Sequence, residues 1–183
     1  LTARLQRLLA PFYAPAGDSR ELHALLREGL AEALPVAEYQ RWLDALPAAV
    51  RERLHSTWGE PRLSSFVVRH GGQDVFVIPR LALGRVALLP QPPRGERWED
   101  REKALYHSTK AGPSHFYFAA YLRARRADAI VHYGTHGTQE WLPGKERGLA
   151  VTDDAMLAVG NVPVVYPYIV DDVGEAVQAK RRG

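Results

Sequence analysis

Apolar positions keep helical spacing through the first third of the chain, then change to the β-branched runs and glycine punctuation of short strands. In the opening LTARLQRLLAPFY, Leu1, Leu5, Leu8 and Leu9 share a helical face before Pro11 interrupts it. Asp18 or Ser19 is placed to cap a second helix, in which Leu22, Leu25, Leu26, Leu30 and Leu34 hold the spacing up to Pro35. Tyr39, Trp42, Leu43 and Leu46 form the stripe of a third helix. Pro47 opens a fourth, with Gly59 as its stop. Residues 1–58 are therefore expected to be helical throughout, and His23 and His55 on these helices to be structural.

From Leu63 onward SSFVVRH, DVFVIPR and GRVALLPQ read as strands, with His70-Gly71-Gly72-Gln73 as a hairpin turn and Pro79 at an edge or a strand end. The stiff loop at 91–95 presents Gln91 and Arg94 at the end of a strand, and a charged stretch follows over 96–112. Gly112-Pro113-Ser114 leads into an amphipathic helix expected to turn Phe116, Ala119, Ala120 and Leu122 inward. DAIVHYG then reads as a strand and GTQEWLPG as a glycine-rich turn with a short helix. Thr152 or Asp153 caps a brief helix ending at Gly160, VPVVYPYIV is another strand, and Asp171 or Asp172 starts a last helix. This alternation predicts an α/β fold: a helical N-terminal region over residues 1–60, then a mixed, partly parallel sheet with flanking helices over residues 61–183.

Composition narrows the function classes. At 183 residues, 46% hydrophobic and 25% charged, the chain has ordinary globular usage and no apolar run long enough to span a bilayer, so it reads as soluble. It contains no cysteine, which excludes disulfides, zinc–thiolate sites and thiol nucleophiles; any metal must use histidine, carboxylate or other oxygen ligands. The net charge of +3 and pI near 9.3 come from basic residues interleaved with acidic ones along the helices, a solvated face without the one-sign stripe or aromatic platforms of a nucleic-acid binder. An anionic small molecule is easier to accommodate. With no initiator methionine and an abrupt stop after AKRRG, the chain is expected to be a segment of a longer polypeptide.

The unusual chemistry is concentrated in residues 127–148, ADAIVHYGTHGTQEWLPGKERG. His132, His136 and Glu140 stand four residues apart, framed by Gly134, Gly137, Pro143 and Gly144. Two imidazoles and a carboxylate can bind a divalent transition metal or move protons near neutral pH. The glycines and the preceding strand argue against a continuous helix. His132 is expected at the strand end, His136 in the turn and Glu140 in the first turn after it, so that the three converge where ligands bind in α/β sheets. The zinc-peptidase pattern H-E-x-x-H and the P-loop are both absent. Histidines that merely hydrogen-bond a tight turn remain the structural alternative.

HYGTHGTQEWLPGKERGL closely resembles the signature of the CobN and magnesium-chelatase H family, with His132, Gly134, Thr135, His136, Gly137, Glu140, Pro143, Gly144 and Lys145 in place. Three flanks agree: QPPRG at 91–95, the Pro113-Ser114-His115 helix entry, and NVPVVYPYIVDDVGEAVQAKRR at 161–182. The resemblance covers the second half, from Leu88 onward; the first half carries no assignable motif. Gln139 departs from the pattern, where an apolar residue is commoner, as do Asp171-Asp172, where asparagines are. Trp141-Leu142 and the run Tyr166-Pro167-Tyr168-Ile169-Val170 resemble the cobalt branch of the family more than the magnesium branch.

The resemblance implies a segment of a large, substrate-binding chelatase subunit that inserts Co²⁺, as substrate, into a tetrapyrrole-derived corrin precursor, hydrogenobyrinic acid a,c-diamide, in the cytoplasm. Insertion strips water from the ion and removes inner N–H protons from the ring. By resemblance His132, His136 and Glu140 take metal delivery or proton abstraction. His115 and Gln91 join the substrate site, while Arg94, Lys145 and Arg181 pair with peripheral carboxylates of the ring. For Arg181 the alternative is to complement a helix C-terminus. ATP is implied to be hydrolysed by separate AAA+ partner subunits, in keeping with the missing P-loop. The competing readings are a large subunit of the magnesium-chelatase H type acting on protoporphyrin IX, a non-catalytic tetrapyrrole-binding scaffold, and a metal-dependent hydrolase, which the flanks disfavour.

Overall fold

The hairpin at Gly71-Gly72 anchors the main sheet. In the computed structural model, which describes residues 1–14, 18–96, 112–134 and 139–167, β2 (Val67–His70) and β3 (Gln73–Pro79) pair antiparallel with His70 opposite Gln73. Both turn glycines have positive φ, 56° and 80°, as a two-residue turn matched to strand twist requires. β3 is the central strand. Its run Val75–Pro79 is buried throughout, since both edges and both faces are covered.

The other edge of this sheet corrects the expectation of an all-helical start. Helix α1 (Thr2–Tyr13) and helix α2 (Arg20–Arg27) carry the leucine faces that the spacing predicts, but α1 runs through Pro11, expected to interrupt it, and α2 stops before Leu30. Gly29 takes a positive φ of 67°, and residues Ala31–Pro35 become strand β1, antiparallel to β3 with Leu34 opposite Phe76. Leu30 and Leu34, four apart, are both buried, yet in different ways: Leu34 lies in the main core, and Leu30 joins Leu8, Leu25 and Leu81 in a smaller cluster under α1 and α2. Pro79 ends β3, as one of the two readings had it.

Helices α3 (Val36–Asp44) and α4 (Ala48–Trp58) follow, the latter stopping at Gly59. A short β4–β5 hairpin (Leu81–Leu83 with Val86–Leu88) leads to the 91–95 loop. Helix α5 (His115–Ala124) starts at Ser114, whose hydroxyl accepts from the Tyr117 amide. This helix is not amphipathic as expected. Every residue from His115 to Tyr121 is buried, because α5 runs through the core against β3, with Phe116 stacked on Phe66 at 3.7 Å between ring centroids. Leu122, expected inward, is only partly buried.

Charge locks the exit of α5 to the first part of the chain. Glu32 on β1 meets Arg80, Arg123 and Arg126 at 3.2, 3.1 and 3.7 Å, and Glu38 on α3 meets Arg126 at 3.0 Å. Helix α6 (Asp154–Val159) ends at Gly160 as expected, and a parallel pair completes the described fold: β6 (Ile130–Val131) beside β7 (Val164–Val165). The result is a mixed α/β fold with a small parallel pair. The expected last helix, most of the charged 96–112 stretch and the end of the final strand lie outside the described residues. Among the described residues, no helix is long and apolar enough to cross a membrane.

Candidate functional site

The parallel pair places two site residues side by side. The β6–β7 ladder continues through the His132 amide, which donates to the Val165 carbonyl at 3.0 Å, so His132 sits just past the C-terminal end of β6 and Tyr166 just past that of β7. Their rings meet edge to face, 5.8 Å apart at 79°. C-terminal ends of neighbouring parallel strands are where α/β sheets open a ligand crevice.

Glu140 reaches the same place from the other side of the glycine turn. It lies in a 3₁₀ turn, Gln139–Trp141, pinned at one end by the fully buried Leu142 and at the other by Gln139 Nε2, which donates to the Ala155 carbonyl on α6 at 3.3 Å. Gln139, the departure from the apolar pattern, thus has a defined partner. Glu140 is only 5% exposed, and its Oε1 accepts from the Tyr166 hydroxyl at 2.7 Å.

Helix α5 supplies the floor. Tyr121 projects its hydroxyl to 3.2 Å from His132 Nε2, and the same hydroxyl contacts both ends of the Gln91 amide, at 3.3 and 3.5 Å. Tyr117, stacked on Tyr121, lies 3.5 Å from Gln91 Nε2. Burial pushes the Tyr121 phenol up to about 12, with the Glu140 charge acting in the same direction against the hydrogen bonds from Gln91 and Tyr117. Burial pushes the His132 imidazole down, opposed by Glu140. His132 is therefore a neutral base at neutral pH, held next to a carboxyl group.

The structure brings together His132, Glu140 and Gln91 of the expected set. His136, the middle member, and Arg181 lie outside the described residues. Among the described residues no three histidine or carboxylate side chains stand together as a metal site.

The remaining expected residues sit elsewhere. His115 is 1% exposed, with Nε2 donating to the Gly59 carbonyl and Nδ1 accepting from the Tyr39 hydroxyl, each at 2.9 Å. A carbonyl can only accept, so the tautomer is set, and both ring nitrogens are committed to tying α4 and α3 to α5. Burial pushes this imidazole down to about 4; nearby His55 acts the same way, and the Gly59 carbonyl and Glu60 oppose. Arg94 is also buried. Its carbonyl accepts from the Ser114 amide at 2.7 Å, and its charge acts on Asp154, the buried partner of Arg53. A Cβ on Gly112 would fall 2.2 Å from Arg53 Nη1 and 3.0 Å from Asp154 Oδ2, so a side chain there would displace the Arg53 guanidinium. Lys145 is exposed, on a loop whose Lys145 and Ala150 amides donate to Asp153 Oδ2 at 3.1 and 2.8 Å.

The site residues that the sequence did not single out are Tyr117 and Tyr121; Tyr166 was named there only within the run that resembles the cobalt branch, with no role at the site. A tyrosine in a helix buried all round must find a partner for its hydroxyl, and that requirement is the signal that Tyr117 and Tyr121 carried.

The CobN/Magnesium Chelatase family matches residues 5–183, and the chain belongs to that family. The match begins far earlier than the motif-bearing second half, so residues before Leu88 fall within the family's extent as well. The chain is 36% identical over 156 residues to the aerobic cobaltochelatase subunit CobN of Sinorhizobium sp, covering 84% of this chain and 12% of that one. It is 33% identical over 161 residues to the H subunit of magnesium chelatase from Rhodobacter capsulatus, covering 84% of this chain and 12% of that one. The solved catalytic subunit of cobaltochelatase from Mycobacterium tuberculosis superposes with a TM-score of 0.73 at 37% identity, over 88% of this chain and 14% of that one. The chain thus spans about an eighth of the length of the curated relatives it matches.

Proposed function

We propose that this chain forms one wall of the metal-insertion site in a cobaltochelatase-type large subunit, which places Co²⁺ in a corrin precursor of the hydrogenobyrinic acid a,c-diamide class. The observation that carries the reading is the meeting of His132 and Glu140 at the C-terminal ends of β6 and β7, with Tyr121 and Tyr166 as their hydrogen-bond partners. Inner N–H groups of such a macrocycle are poor acids, and losing them needs a base close to the ring face. A neutral buried imidazole beside a carboxyl group supplies one, and the same donors suit a divalent ion exchanging its waters. His136 lies between them in sequence and completes the proposed trio.

Lys145, exposed on its loop, is one candidate to meet peripheral carboxylates of the ring; Arg181 is a second. Arg94, being buried beside Asp154, organises the loop that carries Gln91. ATP hydrolysis is assigned to separate AAA+ partners in the cytoplasm, in keeping with a chain that carries no P-loop. Both cobalt and magnesium relatives share the family, and the Trp141-Leu142 and Tyr166-Pro167 pattern favours the cobalt branch.

The test uses the full-length polypeptide with its ATPase partners. Hydrogenobyrinic acid a,c-diamide is offered with Co²⁺, and protoporphyrin IX with Mg²⁺. Cobalt insertion alone is the expected result. Magnesium insertion alone would move the protein to the other branch, and binding of a macrocycle without insertion of either metal would make it a scaffold.

A further inference from the structure

We infer that Tyr121 and Gln91 hold His132 in the tautomer protonated on Nε2, so that this histidine acts at the site through the bare lone pair of Nδ1. The inference rests on the site reading above and adds two positioning residues to it.

A neutral imidazole has one N–H and one lone pair, and the surroundings decide which nitrogen carries which. His132 Nε2 lies 3.2 Å from the Tyr121 hydroxyl, whereas Nδ1 is buried with no hydrogen-bond partner among the described residues. A proton on Nδ1 would bury a donor with no acceptor among the described residues. A proton on Nε2 finds the Tyr121 oxygen. The Tyr121 hydroxyl then donates onward to Gln91 Oε1 at 3.5 Å, and Gln91 Nε2 turns to the Tyr117 hydroxyl, also at 3.5 Å. The Nε2 proton of His132 and the hydroxyl proton of Tyr121 each have an acceptor in that series.

The ring cannot readily rotate to exchange its nitrogens. Tyr121 and Tyr166 stand nearly perpendicular to it, at 86° and 79°, with centroids 6.2 and 5.8 Å away. Tyr121 and Tyr117 are themselves fixed by stacking within the buried face of α5. A lone pair of fixed direction serves either role proposed for His132. A metal ion and a proton both need the unprotonated nitrogen, and a ligating histidine ordinarily donates its other N–H to a fixed partner.

The full-length polypeptide with its ATPase partners is again the material. Ring-¹⁵N histidine labelling, with His132→Gln identifying the resonances, should show a protonated Nε2 and an unprotonated Nδ1; a protonated Nδ1 in the wild-type protein overturns the inference and needs no mutant to fold. Tyr121→Phe should lower kcat for Co²⁺ insertion into hydrogenobyrinic acid a,c-diamide roughly 10–100-fold, with the Kd for the macrocycle unchanged. Gln91→Leu should lower the same parameter less. Unchanged kcat in Tyr121→Phe, with His132→Gln inactive, overturns the positioning role and leaves the site standing. Full activity in His132→Gln overturns the site itself.

Discussion

The Tyr166 hydroxyl donates to Glu140 Oε1 at 2.7 Å, joining the end of strand β7 to a buried carboxyl group that lies 26 residues earlier in the chain. This bond holds Glu140 beside the Tyr166 ring that packs against His132. Tyr166→Phe deletes the donor and keeps the ring that packs on His132. It is expected to cost roughly 1–3 kcal/mol of stability, read by chemical denaturation, and to reduce metal insertion while leaving macrocycle binding intact. Unaltered insertion would mean that Glu140 needs no help from Tyr166.

His115 sets a pH dependence that is separate from catalysis. Its imidazole is pushed down to about 4 from an ordinary 6.5, so the unfolded chain takes up a proton at higher pH than the folded one. The stabilisation is complete above about pH 6.5 and is lost as pH falls toward about 4, at up to about 1.4 kcal/mol per pH unit. Denaturation midpoints of wild type and His115→Gln across this window should show a slope lower by about one proton in the variant. Equal slopes would remove His115 as the source.

Arg53 and Asp154 behave in the opposite sense. Burial raises the Asp154 carboxyl above its ordinary value, and the Arg53 guanidinium, which donates to its two oxygens at 2.5 and 3.0 Å, opposes that shift. Because a raised carboxyl binds its proton more tightly in the folded state, this group favours folding more as pH falls. Arg53→Ala is expected to destabilise by about 2 kcal/mol near neutral pH, less than for a fully enclosed pair because Arg53 is partly exposed. The penalty should shrink on acidification, as Asp154 is protonated. A penalty independent of pH would point to lost packing instead.

Gly144 tests how the exposed Lys145 loop is held. A Cβ there would lie 2.6 Å from Asp153 Cγ, displacing the carboxylate that caps the Lys145 and Ala150 amides. Gly144→Ala should therefore speed amide hydrogen exchange at Lys145 and Ala150 and leave the β2–β3 hairpin unchanged.

Much of the fold was legible in the residues, and the failures have physical causes. The Gly-Gly hairpin, the helix entry after Gly112-Pro113-Ser114, and the helix stops at Gly59 and Gly160 depend on local chemistry, and each is found where the chain places it. Strand β1 was hidden because AEALP is made mostly of helix formers and keeps leucines four apart; pairing with β3 overrides that propensity. Helix α5 misled in the other direction. Its tyrosines imitate a polar face, but their hydroxyls reach Gln91 and His132 inside the protein. Of the site, His132 and Glu140 were visible from residue type and spacing, while the tyrosines that hold them depend on contacts between elements distant in sequence. His115 shows the converse, a histidine in a family motif whose two nitrogens serve the core.

The account rests on His132 and Glu140 acting together on the metal or on the ring protons. The most direct measurement is the single-turnover rate of Co²⁺ insertion into hydrogenobyrinic acid a,c-diamide by the full-length polypeptide and its ATPase partners, comparing wild type, His132→Ala and Glu140→Gln. A fall of roughly 10²–10⁴-fold in each variant, with macrocycle binding retained, is the predicted result. Wild-type insertion rates in both variants would contradict the account.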